Sequence, residues 1–180
     1  MKKLFLIVVV VCTITFGFSQ TKGFEKGNMY HQIGVGGQNY WRISAPGRTA
    51  WWNFADFTTQ YQGEWGIHDY VGLGFHAGIT AGGFRGTTSL YVPLGVQANF
   101  HFYQLIDDKV SSDIKSDKLD IYAGVNVGAG PAFIPSTGDV FGGVHAGPQV
   151  GVRFYPKSNI GMFAEVGYGK SFAQFGLVIR

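Results

Sequence analysis

Between Leu119 and Gly130 two kinds of position alternate one for one. Leu119, Ile121, Ala123, Val125, Val127 and Ala129 share one parity, and Asp120, Tyr122, Gly124, Asn126, Gly128 and Gly130 share the other. A period of two is the mark of a strand whose side chains leave on opposite faces. A strand face wetted by bulk solvent carries Lys, Glu and Thr, whereas this second face is mostly glycine with a few polar groups. Such a face suits the inside of a narrow barrel better than a water-facing exterior.

The same alternation recurs about eight times along the chain. Met29, His31, Ile33 and Val35 alternate with Tyr30, Gln32, Gly34 and Gly36, a strand expected to continue toward Ile43. Phe57, Thr59, Tyr61, Trp65 and Ile67 oppose Thr58, Gln60, Gln62 and Glu64, closed by a tight turn at His68 to Tyr70. A third strand runs from Val71 to Gly82 and a fourth from Leu90 to Phe102, the latter carrying Pro93, which cannot donate to a ladder. After the strand that opens at Leu119 come Val144 to Phe154, Gly161 to Gly167 and Ala173 to Ile179. Three connections stand out: Ser44 to Asp56, rich in aromatics; Leu105 to Lys118, rich in charge and expected as a solvated turn; and Pro131 to Gly142, expected as a Pro/Gly/Ser loop.

Strands of roughly 9 to 11 residues match what a tilted strand needs to cross a bilayer. The apolar faces hold no Lys, Arg, Asp or Glu, and a Lys or Arg there would cost about 2 to 4 kcal/mol at mid-membrane. Aromatics gather near strand ends, with Trp65, Phe100, Phe102, Tyr103, Phe154 and Tyr155 toward one side and Trp41, Trp51, Trp52, Tyr168 and Phe172 toward the other. These fit two interfacial girdles. After Val11 no run of about 18 apolar residues occurs, so any crossing must be made by a closed barrel. The expected fold is an all-β, eight-stranded antiparallel up-and-down barrel of the outer-membrane type. The alternative is a soluble, lipocalin-like ligand-binding barrel with the apolar face turned inward.

Composition sharpens this reading. Charged residues make up 14% and glycines number 28 in 180, against roughly a quarter charged and about 7% glycine in ordinary soluble domains. A large wetted surface is hard to build from that mixture. Residues 1–19 read as a secretory signal: Lys2 and Lys3, an apolar run from Leu4 to Val11, and small Gly17 and Ser19 before Gln20. The barrel domain is then 20–180, and losing the two lysines lowers the formal charge from +3 to +1, which implies no nucleic-acid partner. The single cysteine, Cys12, falls in the signal, so the exported chain is expected to carry no thiol.

The closing stretch carries a family likeness. Phe163-Ala164-Glu165-Val166-Gly167-Tyr168-Gly169, then Phe172 and the alternating Phe175-Gly176-Leu177, resembles the small outer-membrane β-barrel family (porin-like, outer-membrane-protein β-barrel domain) of Gram-negative bacteria. Members commonly close on a Glu-x-Gly-Tyr-Gly hairpin and a last strand of this kind. The resemblance implies the outer membrane as location, with outer-membrane lipid and the assembly machinery as partners. This chain departs from the pattern by ending on Ile179-Arg180, where such chains usually finish on an aromatic residue.

Few residues invite chemistry. Glu64, Arg153 and Glu165 face the lumen, and Arg153 lies diagonal to Glu165 on the neighbouring strand, which suggests one buried polar network filling the barrel. His76, His101 and His145 also face inward, but on different strands and at different expected heights, so no metal site is implied. Gly72-Leu73-Gly74 precedes no helix, which removes a dinucleotide fingerprint and with it any cofactor. Ser89 and Ser171 have no His or acid beside them in sequence, which argues against a lipid-modifying barrel enzyme acting on lipid A acyl chains. Trp51, Trp52 and Phe54 in the first loop either bind an extracellular glycan or protein, or anchor that loop among headgroups. The expected function is therefore non-enzymatic, structural or surface-binding through the loops. Strand parity places the termini and the charged segment on the periplasmic side and Thr137 outside.

Overall fold

A computed structural model describes residues 22–37, 42–43, 57–84, 87–110, 117–156 and 159–180. The signal segment 1–19 and the aromatic trio Trp51, Trp52 and Phe54 lie outside the described residues. The described residues form ten strands: β1 Met29–Gly37, β2 Arg42–Ile43, β3 Phe57–His68, β4 Val71–Phe84, β5 Thr87–Tyr91, β6 Leu94–Phe100, β7 Leu119–Ile134, β8 Asp139–Phe154, β9 Ile160–Gly167 and β10 Ala173–Ile179. A single helix among the described residues, α1 Phe102–Val110, follows β6. All pairings are antiparallel, and the order β10, β1, β3, β4, β5 with β6, β7, β8, β9 returns to β10. Since β5 and β6 share one place, the ring is an eight-stranded closed barrel, which leaves no free sheet edge around its wall.

Burial is inverted relative to a soluble protein. Large apolar side chains stand exposed, Val125 at 60% and Phe175 at 65% among them, while Gln32, Gln62, Glu64 and Arg153 are wholly or almost wholly buried. A small apolar cluster of Tyr155, Phe163 and Val178 sits at the terminal end. The apolar face therefore points outward on the strands of the eight-stranded ring, and the inward-facing arrangement of a soluble ligand-binding barrel is excluded. Where that outer wall would be pitted, a neighbour fills it: a Cβ at Gly63 would overlap the Phe75 ring directly opposite.

Four expectations are corrected. The fourth strand is two, β5 and β6, interrupted at Val92-Pro93. The break stays bonded on both sides, because Val92 N–H donates to the Pro131 carbonyl (3.0 Å) and Gly78 N–H donates to the Pro93 carbonyl (3.0 Å). The charged connection opens with α1 instead of extended chain, so Phe102 and Tyr103 are helical. The stretch Pro131 to Gly142 is no loop: β7 and β8 run 16 residues each, in register from Leu119↔Phe154 to Ile134↔Asp139. Their turn closes with Thr137 and Gly138 both donating to the Ile134 carbonyl (3.2 and 2.9 Å), Gly138 taking a φ of +74°. Tyr155, assigned above to a girdle, is buried at the end of the lumen.

Unequal strand lengths give the far mouth its shape. β9 pairs with β8 only as far as Gly167↔Gln149, and β2, the resumption of the first strand, pairs higher up at Arg42↔Val144 and Ile43↔Gly143. Space between these pairings admits the β9–β10 turn, residues 168–172, which folds inward so that Lys170 and Ser171 are buried.

The outward assignment predicts that Val125→Arg lowers folding stability in bilayers by about 2 to 4 kcal/mol, whereas Thr137→Arg at the exposed hairpin turn changes it little. Urea titration of liposome-refolded protein, read by heat-dependent gel mobility, measures both.

Candidate functional site: a lumen filled in three layers

The lowest layer is ionic. Arg153 on β8 pairs with Glu64 on β3, reaches Asp120 on β7 (Nη1 to Oδ2, 3.3 Å) and donates to Gln32 Oε1 on β1 (2.9 Å). His101, just past β6, contacts Asp120 Oδ1 through Nδ1 and Glu64 Oε1 through Nε2, each at 2.9 Å. Carboxylates only accept, so both ring nitrogens donate and the ring is imidazolium. Two cations then balance two carboxylates in a fully buried group. The guanidinium lies over Tyr122 (4.5 Å) and Tyr30 (5.3 Å), which supply the remaining walls.

Chain termini seal this layer. The Phe24 ring lies flat on His101, with centroids 3.4 Å apart and planes at 8°, and stacks on Tyr30 at 5.0 Å. Glu25 N–H donates to the Tyr30 hydroxyl (2.7 Å), and Gly27 N–H donates to the Gly66 carbonyl (2.7 Å). Arg180 donates to the Lys22 carbonyl (2.6 Å) and covers the Tyr155 ring at 4.1 Å. Lys22 in turn binds Asp108 on α1 (2.7 Å), which also accepts from Tyr70 (3.0 Å). The lysine hydrogen bond holds the Asp108 carboxyl below its ordinary pKa and raises that of Lys22. This clasp is present at neutral pH and is lost as pH falls through the lowered carboxyl value.

The middle layer is built on Lys170, carried in by the β9–β10 turn. Its Nζ donates to Gln62 Oε1 (2.6 Å), Gln97 Oε1 (2.6 Å) and Glu165 (3.0 Å to Oε1). Glu165 also accepts from Tyr122 (2.9 Å) and Gln174 (2.7 Å). The turn's backbone is held as well: Gln60 donates to the Lys170 carbonyl (2.7 Å) and Asn126 to that of Tyr168 (2.8 Å). Gly169, with a φ of +93°, packs so closely on Asn126 that a Cβ there would overlap the amide oxygen. Only glycine meets both demands.

The upper layer joins two imidazoles. His76 on β4 and His145 on β8 are separated in one cross-strand row by Gly95 on β6 and Gly128 on β7. A Cβ at Gly95 would strike the His76 ring and one at Gly128 the His145 ring, so the two glycines are what let the rings meet, Nε2 to Nε2 at 2.8 Å. Tyr91 hydroxyl lies 3.0 Å from His145 Nδ1.

Of the three residues singled out in sequence, Glu64 and Arg153 are brought together, whereas Glu165 belongs to the separate group around Lys170. The diagonal contact between Arg153 and Glu165 gives way because Tyr122 stands between the two groups. His76 and His145 share a row, a correction to their expected separation, since the strand tilt and two glycines bring them level. No cluster of three or more His, Cys, Asp or Glu suited to a metal occurs among the described residues. Lys170 and Phe24 escaped the sequence reading, whereas Asp120 and His101 were placed inward without a partner. Asp120 carried a signal in its lumen parity; Lys170 carried none beyond lying between Gly169 and Ser171.

No family model matches the chain, and a search of curated proteins finds no relative. Solved structures resemble it. The N-terminal β-barrel domain of Pseudomonas aeruginosa OprF superposes with a TM-score of 0.51 at 12% identity, covering 84% of this chain and 96% of that one. Ail, the attachment invasion locus protein of Yersinia pestis, gives 0.49 at 16% identity over 86% and 95%. A de novo designed transmembrane β-barrel gives 0.42 at 13% over 90% and 98%. The OprF domain carries the comparison, and it does so for architecture alone: this chain has the fold of the small outer-membrane β-barrels.

Charge balance in the lowest layer predicts that Arg153→Met, which strands two buried carboxylates against one imidazolium, costs about 3 to 5 kcal/mol. Lys22→Met, at the partly exposed clasp, costs less than about 1 kcal/mol. Equilibrium urea unfolding followed by tryptophan fluorescence separates the two.

Proposed function

We propose that the protein is an outer-membrane barrel that works as a closed, non-enzymatic anchor, presenting its far-end loops for structural or surface-binding work. The observation carrying this reading is the filled lumen. Three successive layers of hydrogen-bonded side chains, with Phe24 and α1 beneath them, occupy the interior from the terminal end to the far mouth. An eight-stranded barrel leaves room only for side chains in any case. The far end offers the material for recognition. The β7–β8 hairpin outruns the 9 to 11 residues a crossing needs and exposes Phe133 and Val140. The aromatic first loop, with Trp51, Trp52 and Phe54, is the proposed contact for an extracellular glycan or protein.

Against lipid-modifying chemistry stand the two serines weighed above. Ser171 is buried in the inward turn, away from lipid, and Ser89 donates to the Gly82 carbonyl at 3.5 Å. Neither contact supplies the base that an acyl-transfer nucleophile requires.

Liposomes loaded with the purified protein at pH 7.5 should show no swelling in small sugars above that of protein-free vesicles. Swelling at the rate of a general porin would contradict the closed anchor. Lipid A mass spectra should be the same with the gene deleted or overexpressed, and a reproducible change in acyl chains would favour an enzyme.

A further inference from the structure

We propose that the His76–His145 pair is a proton-operated catch on the upper lumen: when both rings are charged they repel, and the inward turn of residues 168–172 withdraws, opening the far mouth to water as far as the middle layer. The proposal goes beyond the closed anchor, which describes the neutral-pH state, and leaves the lowest layer sealed.

A contact of 2.8 Å between two Nε2 atoms holds a single proton. One ring donates and the other accepts, and this remains true after one further proton is added elsewhere on the pair. A second added proton removes the acceptor, leaving two N–H groups facing each other on two like charges. Retreat into the wall is closed to the rings, because they already lie over Gly95 and Gly128 in a ladder paired continuously from β4 to β8.

The neighbours add to the strain. Among the described residues, Lys170 approaches from the β9–β10 turn, bound to Gln62, the residue directly opposite His76. Glu165 on β9 lies beyond it and is already engaged by Lys170, Tyr122 and Gln174. Tyr91 on β5 stands on the far side of His145. Other buried polar side chains of the lumen among the described residues include the neutral Gln60, Gln97, Asn126 and Gln149 on β3, β6, β7 and β8. Doubly charging the pair therefore places three cations in the upper and middle layers with one carboxylate near Lys170. The element free to move is the turn, whose hold on the lumen is made chiefly by side chains of β3, β6, β7 and β9, with Tyr168 N–H on the Pro148 carbonyl (2.8 Å) and Phe172 N–H on that of Gly37 (3.3 Å). Among the described residues His76 Nδ1 has no hydrogen-bond partner, so none of them steadies its charged form as an acceptor.

The test places one thiol in the turn. In full-length protein carrying Cys12→Ala, the rate of reaction of Ser171→Cys with dithiodipyridine is divided at each pH by that of Thr137→Cys on the exposed hairpin turn, which cancels the intrinsic pH dependence of the thiol. The ratio should be low at pH 7.5 and rise about tenfold by pH 3, and His76→Gln or His145→Gln should abolish the rise. A ratio that stays flat in the parent, or that rises equally in either glutamine variant, overturns the proposal. Nitrogen-15 shifts of the two rings in the parent provide a reading independent of the variants. Both rings must become imidazolium over the pH range in which the ratio rises, and a rise with either ring still neutral also overturns it.

Discussion

Everything in this barrel follows from burying a charged group where neither water nor lipid can help it. Arg153 is fully buried, and an unpaired cation there would be prohibitive, so Glu64 and Asp120 must oppose it. Two carboxylates against one guanidinium would leave a surplus, and His101 removes it by donating to both. Phe24 then excludes water from the imidazolium face, and for that the N-terminal segment must cross the end of the barrel. The clasp of Lys22 to α1 and the grip of Arg180 on Lys22 follow from holding that segment in place.

The same requirement explains the glycines. Large polar side chains fit inside eight strands only if their neighbours have no side chain. Tyr122 occupies the space opposite Gly151, the Glu64 carboxyl that over Gly72, and the two imidazoles that over Gly95 and Gly128. What reads in the sequence as a bland glycine face is thus a set of recesses, each cut for a named group. The lipid side obeys a simpler rule: it needs apolar area and no charge, and Val96, Val125, Val127 and Leu177 supply it.

The strands and their faces were legible because the period of two is written by residues one apart, as between Val125 and Asn126. The lumen was legible only in outline. Parity alone put Glu64, Arg153 and Glu165 inside, but which charges meet depends on strand tilt, and tilt is set by closure of the whole ring, which no local pattern records. Hence Arg153, directly opposite Asp120 in the ladder, also reaches across the lumen to Glu64 and Gln32 and leaves Glu165 to Lys170. Lys170 itself could not be found by alternation, since it stands in a turn that enters the lumen only because β9 and β10 are shorter than β8. The hairpin beyond Gly130 was missed for a different reason. Pro131 and the Pro135-to-Gly138 run look like one loop, yet Pro131 loses little by lacking an N–H, because its carbonyl still accepts from Val92 across the broken fourth strand.

The central claim is that the polar face is inside and the apolar face meets hydrocarbon, and neighbouring residues on β10 test it. Leu177 is more than half exposed and Val178 is fully buried. In detergent or nanodiscs, methyl signals of Leu177, Val96 and Val125 should be broadened by a lipid-soluble spin label and spared by a water-soluble one, while Val178 should be spared by both. Broadening of Val178 by the lipid-soluble label, or of Val125 by the water-soluble label alone, would turn the barrel inside out and contradict the account.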